Sequence, residues 1–234
     1  MAEPRSVYVE SRLENRLRHG EVLCSVWERR VSLDEVEPEA LNVESFEPPW
    51  AIIVTQDGDL EQDAGARGMV APANATEEEL SKFLKKQNNG LISSVLVVVA
   101  QEAKTVKSGI GGSDIWKRVH QNKDERYQFI APAGASQDLE KTGFDSLVLD
   151  FKRMFSVPHD QLLRDIAARR TRRRGVLTSP YSEHLALRAG YFLQRIPLPV
   201  DHHDIAPPQA AALPGPAAPG LPGPAPTGGS QDER

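Results

Sequence analysis

The chain has 234 residues, 39% hydrophobic and 26% charged, with a formal net charge of −5 and one cysteine. That length holds one large domain or two small ones. A lone cysteine excludes an internal disulfide and a cysteine-based zinc cluster, and without an apolar run of about 18 residues a membrane-spanning helix is excluded as well.

Taken in chain order, the charges that alternate through residues 1–20 are unlike a secretory leader, so a reducing cytoplasm is the expected compartment. Ser6–Glu10 alternates apolar and polar residues and predicts an edge strand; Gly20–Trp27 predicts another, with Val22, Cys24 and Val26 on one face. Asp34–Glu47 is acidic and punctuated by proline, which predicts irregular structure. Ala51-Ile-Ile-Val-Thr55 reads as a short buried strand. Thr76-Glu-Glu-Glu79 is a capping box, followed by the apolar stripe Leu80, Phe83, Leu84 and the stop Asn88-Asn89-Gly90. In Leu91–Ala100 the β-branched run Val95–Val99 predicts a central strand covered on both faces. A short helix follows over Ser113–His120, then strands over Tyr127–Ile130 and Ser146–Phe151. Pro158 opens a helix through Leu162 and Ile166. Ser179-Pro180 opens the last one, whose buried face carries Leu185, Ala189 and Phe192 and which Pro197 and Pro199 end.

This order predicts an α+β fold: a mostly antiparallel sheet or small barrel with a C-terminal helical pair. The expected domain covers residues 1–200, the sheet to about 155 and the helical pair from about 156. Residues 201–234 hold eight prolines and five glycines and almost no large apolar side chain. They predict a disordered, partly polyproline tail, because they bury too little to offset an ordering cost of about 1–2 kcal/mol per residue.

Charge is uneven. Residues 1–63 hold fifteen acids and six Lys/Arg, net −9, whereas residues 152–174 hold eight Lys/Arg against two acids, net +6. That asymmetry points to a partner or to internal docking between the two parts.

Three constellations stand out. Asp57, Asp59, Glu61 and Asp63 alternate directly after the strand ending at Thr55. On an extended chain they share one side, and Asp57-x-Asp59 at a strand end is a candidate site for Mg²⁺ or Mn²⁺; the alternative is an Asp-Gly turn with solvated acids. Second, Arg164, Arg169, Arg170, Arg172, Arg173 and Arg174 fall on a helix end and the loop after it. They suit phosphate contacts along nucleic acid, a solvated helix C-terminus, or pairing with the acidic N-terminal part. Third, His184, Arg188, Tyr191 and Arg195 share a stripe of the last helix, either an anion-binding or acid–base row or a plain polar seam. His202-His203 adjoins the tail and reads as incidental metal affinity; Cys24 reads as a core residue.

Two stretches resemble a group of uncharacterised bacterial cytoplasmic proteins. Trp50-Ala-Ile-Ile-Val-Thr-Gln-Asp-Gly-Asp-Leu60 is similar to their strand running into Ser/Thr-Gln-Asp-Cys-Asp-Ile/Leu. Leu177-Thr-Ser-Pro-Tyr-Ser-Glu-His-Leu185 with Arg195-Ile-Pro-Leu-Pro199 is similar to their closing helix. The resemblance spans about residues 20–200, and Gly58 stands where the group has cysteine. It implies no activity. Gly20-Glu-Val-Leu23 and Pro49-Trp-Ala-Ile-Ile-Val-Thr55 also resemble strands of MazF/PemK-like toxins. That second resemblance implies a small SH3-like barrel and, were the activity shared, metal-free RNA cleavage near Thr55, for which no arginine partner stands out.

The resulting expectation is a non-enzymatic accessory or interaction protein of the bacterial cytoplasm. It would bind another protein through the arginine-rich segment and last helix, with no resident cofactor. The alternatives are a phosphodiester-cleaving enzyme, using Mg²⁺ or Mn²⁺ at Asp57 and Asp59 or Thr55 without metal, and a nucleic-acid-binding protein that uses the arginines. No membrane partner is expected, and the sequence does not address oligomeric state.

Overall fold

The computed structural model describes residues 6–14, 16–33 and 41–194. Arg195, His202, His203 and the proline-rich tail lie outside the described residues. The chain divides into two units, Met1–Ile196 and Pro197–Arg234, and every described residue belongs to the first.

Strands β1 (Tyr8–Glu10) and β2 (Glu21–Cys24) come first, followed by the pair β3 (Glu28–Leu33) and β4 (Leu41–Phe46) and by β5 (Trp50–Ile53). Helices α1 (Asp57–Arg67) and α2 (Glu77–Gly90) lead into β6 (Ser94–Glu102). Then come α3 (Ala103–Gly109), α4 (Ser113–His120), β7 (Tyr127–Ile130) and β8 (Leu147–Pro158). The described chain closes with α5 (His159–Ala167), β9 (Arg172–Leu177) and α6 (Tyr181–Leu193). Seven strands form one antiparallel sheet in the order β1-β9-β2-β5-β6-β8-β7, and β3 pairs with β4 apart from it. The fold is α+β, with the large sheet curled into a half-barrel. Register irregularities at Glu21/Leu23 and Val98/Ala100 lie within it, and such bulges bend a strand and increase its local twist.

Period-two alternation gives the sheet two apolar faces. Val22, Ile52, Val98, Leu149 and Phe151 pack with Leu185 and Ala189 of α6. Leu23, Ala51, Ile53, Val95, Val97 and Val157 pack with Leu60 of α1 and Leu162 of α5. Helices thus cover both faces, as the run Val95–Val99 predicts, and each buried Val, Leu or Ile contributes about 1.5–3 kcal/mol. The capping box at Thr76 forms as predicted: its hydroxyl accepts from the Glu79 amide while the Glu79 carboxylate accepts from the Thr76 amide.

Three local expectations are corrected. Within Asp34–Glu47, expected to be irregular, residues 41–46 form β4, whose ladder with β3 satisfies the backbone. Residues 57–63 are helical rather than an extended turn, because Leu60, Asp63 and Ala66 fall at helical spacing on the buried side of α1. Residues 172–177 are not a loop after a helix but a strand held between β1 and β2, so α5 and α6 flank a strand of the sheet. No described helix is long and apolar enough to cross a membrane.

Candidate functional site

The helix at 57–67 decides what its acids do. Residues two apart on a helix face different sides, so Asp57 and Asp59 do not converge as the candidate cation site requires. Asp57 is held by Arg16, with N–O distances of 3.0 and 3.1 Å, and by Arg18 Nε at 2.8 Å. The His19 amide donates to it at 3.1 Å. Burial raises the Asp57 pKa, but the hydrogen bonds from Arg16, Arg18 and His19 outweigh it and hold the carboxyl well below the ordinary range. Glu61, one turn on, reaches the same Arg16 at 3.4 Å, and Asp59 is exposed.

Asp63 is buried and accepts from Arg67 at 2.7 Å and from the Ile92 amide at 3.0 Å, with His159 Nδ1 3.0 Å away. Burial pushes His159 down, despite the pull of Asp63. Among the described residues no group of three or more His, Cys, Asp or Glu is placed to hold a metal ion. The Thr55 hydroxyl accepts from the Leu96 amide at 2.7 Å and thereby closes the end of β5 against β6.

A cleft of about 720 Å³ lies beside Thr55, between the start of α1 and α6, where Ala186, Ala189 and Gly190 leave room. His19 spans it, with its ring nitrogens 3.2 Å from the Thr55 carbonyl and 3.1 Å from the Ser182 carbonyl. A neutral imidazole donates to one of these oxygens, an imidazolium to both.

The arginine run is largely neutralised within the fold. Arg170 pairs with Asp165 at 2.6 Å and Arg172 with Glu140 at 3.0 Å. Arg173 and Arg174 point to opposite faces of β9 and both lie inside the protein, because the strand is covered on both sides and an acid waits on each. Arg173 pairs with buried Glu21 and donates to the Leu13 and Arg16 carbonyls. Arg174 makes two 2.7 Å bonds to buried Asp138 and lies 5.0 Å over the Trp50 ring. Burial raises Asp138, but Arg174 and neighbouring amides and hydroxyl bring it down to about 2. Arg169 differs. It lines a cavity, with φ of 56°, and pairs with no carboxylate among the described residues.

On α6, Arg188 does not join a surface row. Its guanidinium donates to the carbonyls of Asn122 at 2.6 Å, Tyr127 at 2.8 Å and also Asp124, which bolts the helix to the segment before and into β7. Burial lowers its pKa. His184 and Tyr191 remain exposed, and burial together with the charge of Arg188 pushes His184 down. Cys24 is buried, and desolvation raises its thiol pKa.

The cavity beside Arg169 is not visible in any sequence motif. It has a volume of about 770 Å³ between Leu13, Arg16 and Leu17 on one side and α5 and the start of β9 on the other. Leu13, Leu17, Leu139, Leu163, Ile166 and Ala167 supply apolar walls, while Arg16, Arg169 and Arg172 border it. Its parts come from three regions of the chain, so only the fold brings them together.

No family model matches the chain, and no match was found among curated proteins or solved structures.

Proposed function

We propose that this is a non-enzymatic binding protein whose contact site is the arginine-bordered cavity beside α5. One observation carries the reading: on a cavity with aliphatic walls, Arg169 is a cation with no carboxylate partner among the described residues, whereas Arg16, Arg172 and Arg173 on the same border are each paired. A volume of about 770 Å³ lies within the roughly 300–1,000 Å³ of small-molecule sites. The paired state of the other groups weighs against the competing readings. Asp57 serves Arg16 and Arg18 rather than a cation. A phosphate-tracking surface gains affinity from arginines that shed counterions on binding, and Arg170, Arg172, Arg173 and Arg174 already hold carboxylates.

The test is 1-anilinonaphthalene-8-sulfonate, an apolar anionic dye that fluoresces when buried. It should bind with a stoichiometry of one, and Ala167→Trp, which fills the cavity from its rim, should weaken binding about ten-fold or more while circular dichroism stays native. Unchanged dye binding in a natively folded Ala167→Trp protein removes the cavity as the site.

A further inference from the structure

Resting on that reading of the cavity, we propose that its ligand is an aliphatic carboxylate, a monoanion on a hydrocarbon chain, with Arg169 as the head-group anchor.

The walls set the body of the ligand. Leu13, Leu17, Leu139, Leu163 and Ile166 present only aliphatic surface, and among the described residues no aromatic side chain lines the cavity. A nucleobase would find no ring to stack on, whereas a flexible chain gains from contact with every wall.

The border sets the head group. Arg16 is held by Asp57, Arg172 by Glu140 and Arg173 by Glu21, so among the described residues of the border Arg169 is the positive charge left for a ligand. Glu140 also lines the cavity and is taken up by Arg172 and Arg174, so the described border offers one uncompensated positive charge, which matches a monoanion better than a phosphate dianion. The planar guanidinium fork matches a carboxylate with two parallel hydrogen bonds.

The backbone at Arg169 adds an independent observation. α5 ends in a left-handed turn: the Arg169 amide donates to the Ile166 carbonyl at 3.0 Å and the Arg170 amide to the Asp165 carbonyl at 2.8 Å. Arg169 occupies that turn at φ 56°, the position where glycine is the unstrained and usual residue. An arginine kept there costs stability, and its side chain meets the cavity.

The experiment is calorimetric titration of the whole chain with hexanoate, octanoate and decanoate, and with the matching alkanols. Affinity should rise about four-fold per added methylene, and each alkanoate should bind about ten-fold or more tighter than its alkanol. Arg169→Gly should abolish the alkanoate advantage, leave the alkanols unaffected and not lower the melting temperature, because glycine relieves the backbone. Arg169→Lys, which keeps the charge but loses the fork, should keep only part of the advantage. Alkanoates that bind no better than alkanols, or an advantage that survives Arg169→Gly, overturn the inference. If the dye still binds and Ala167→Trp still blocks it, the ligand class alone is wrong; if neither dye nor alkanoate binds, the cavity reading falls with it.

Discussion

Arg173→Met tests whether the arginine run is part of the interior or part of a contact surface. Arg173 is 4% exposed and Glu21 is fully buried. Glu21 also accepts from the Ser11 hydroxyl and, at 3.1 Å, from the Arg18 amide. Arg173 donates in turn to the Leu13 carbonyl at 3.4 Å and the Arg16 carbonyl at 3.1 Å. Methionine fills much of the same volume but leaves a buried carboxylate without its cation and two carbonyls without a donor. Removing one partner of a buried pair costs about 3–5 kcal/mol. With a urea dependence of about 2–3 kcal/mol per molar, the unfolding midpoint should fall by about 1–2 M. The double variant Glu21→Leu with Arg173→Met removes both charges and should recover part of that loss, the remainder coming from the Ser11 hydroxyl, the Arg18 amide and the two carbonyls left without these partners. Urea titrations followed by circular dichroism and tryptophan fluorescence measure both. A contact-surface arginine would change stability by no more than about 0.5 kcal/mol, so a loss below about 1 kcal/mol in Arg173→Met refutes the buried-pair account.

Three further outcomes follow from the same geometry. Arg188→Ala should destabilise by about 2–4 kcal/mol, since it strands the carbonyls of Asn122, Asp124 and Tyr127; hydrogen exchange should show α6 and the segment before β7 loosening together, and loss confined to α6 would contradict the tie. Asp138 falls from the ordinary 3.8 to about 2 in the fold. Its contribution of about 2 kcal/mol is therefore present above pH 4 and lost as pH drops toward 2. Asp138→Asn should flatten the stability profile across that window by a similar amount, and an unaltered slope would show that Asp138 is not the titrating group. Gly143 sits at φ 71°, and a Cβ there would meet the Ala133 carbonyl at 2.7 Å; Gly143→Ala should lower stability by about 1–3 kcal/mol in thermal unfolding, and a melting temperature equal to the starting protein's would count against the turn.

What the sequence makes legible is local. The Val95–Val99 run implies a strand covered on both sides because β-branched residues without polar alternation have no solvent face. The Thr76–Glu79 box marks a helix start because both capping bonds lie within four residues. Helix α1 was legible in part: Asp57 and Asp59 in the first turn, Arg67 in the last and Gly68 after it suit a helix and its dipole. Asp57-Gly58 reads as a turn in isolation, however, and the inward face is built on a buried aspartate, Asp63, which counts as polar until Arg67 and His159 are in place. Strand β9 was not legible. Arg172-Arg-Arg reads as solvated charge, and only Glu21, 152 residues away from Arg173, and Asp138, 36 residues away from Arg174, turn it inward. The partners of Arg188 are hidden from the sequence for the same reason, since its acceptors are carbonyls more than 60 residues away.

The opposed charges of the two chain regions are answered only in part by docking between them. Of the described carboxylates that meet β9 and the end of α5, Glu21 alone comes from the acidic first 63 residues; Asp138, Glu140 and Asp165 lie nearby in sequence. The strongest N-terminal cluster, Asp57 with Arg16 and Arg18, neutralises itself. A general electrostatic clamp therefore does not describe the molecule. Its buried ion pairs are specific, each inward arginine of β9 meeting a carboxylate that backbone amides or hydroxyls also hold. Where neighbouring arginines have carboxylates within 3.4 Å, Arg169 has none among the described residues and adopts a backbone conformation that glycine would take without strain. What its side chain borders is a cavity with aliphatic walls.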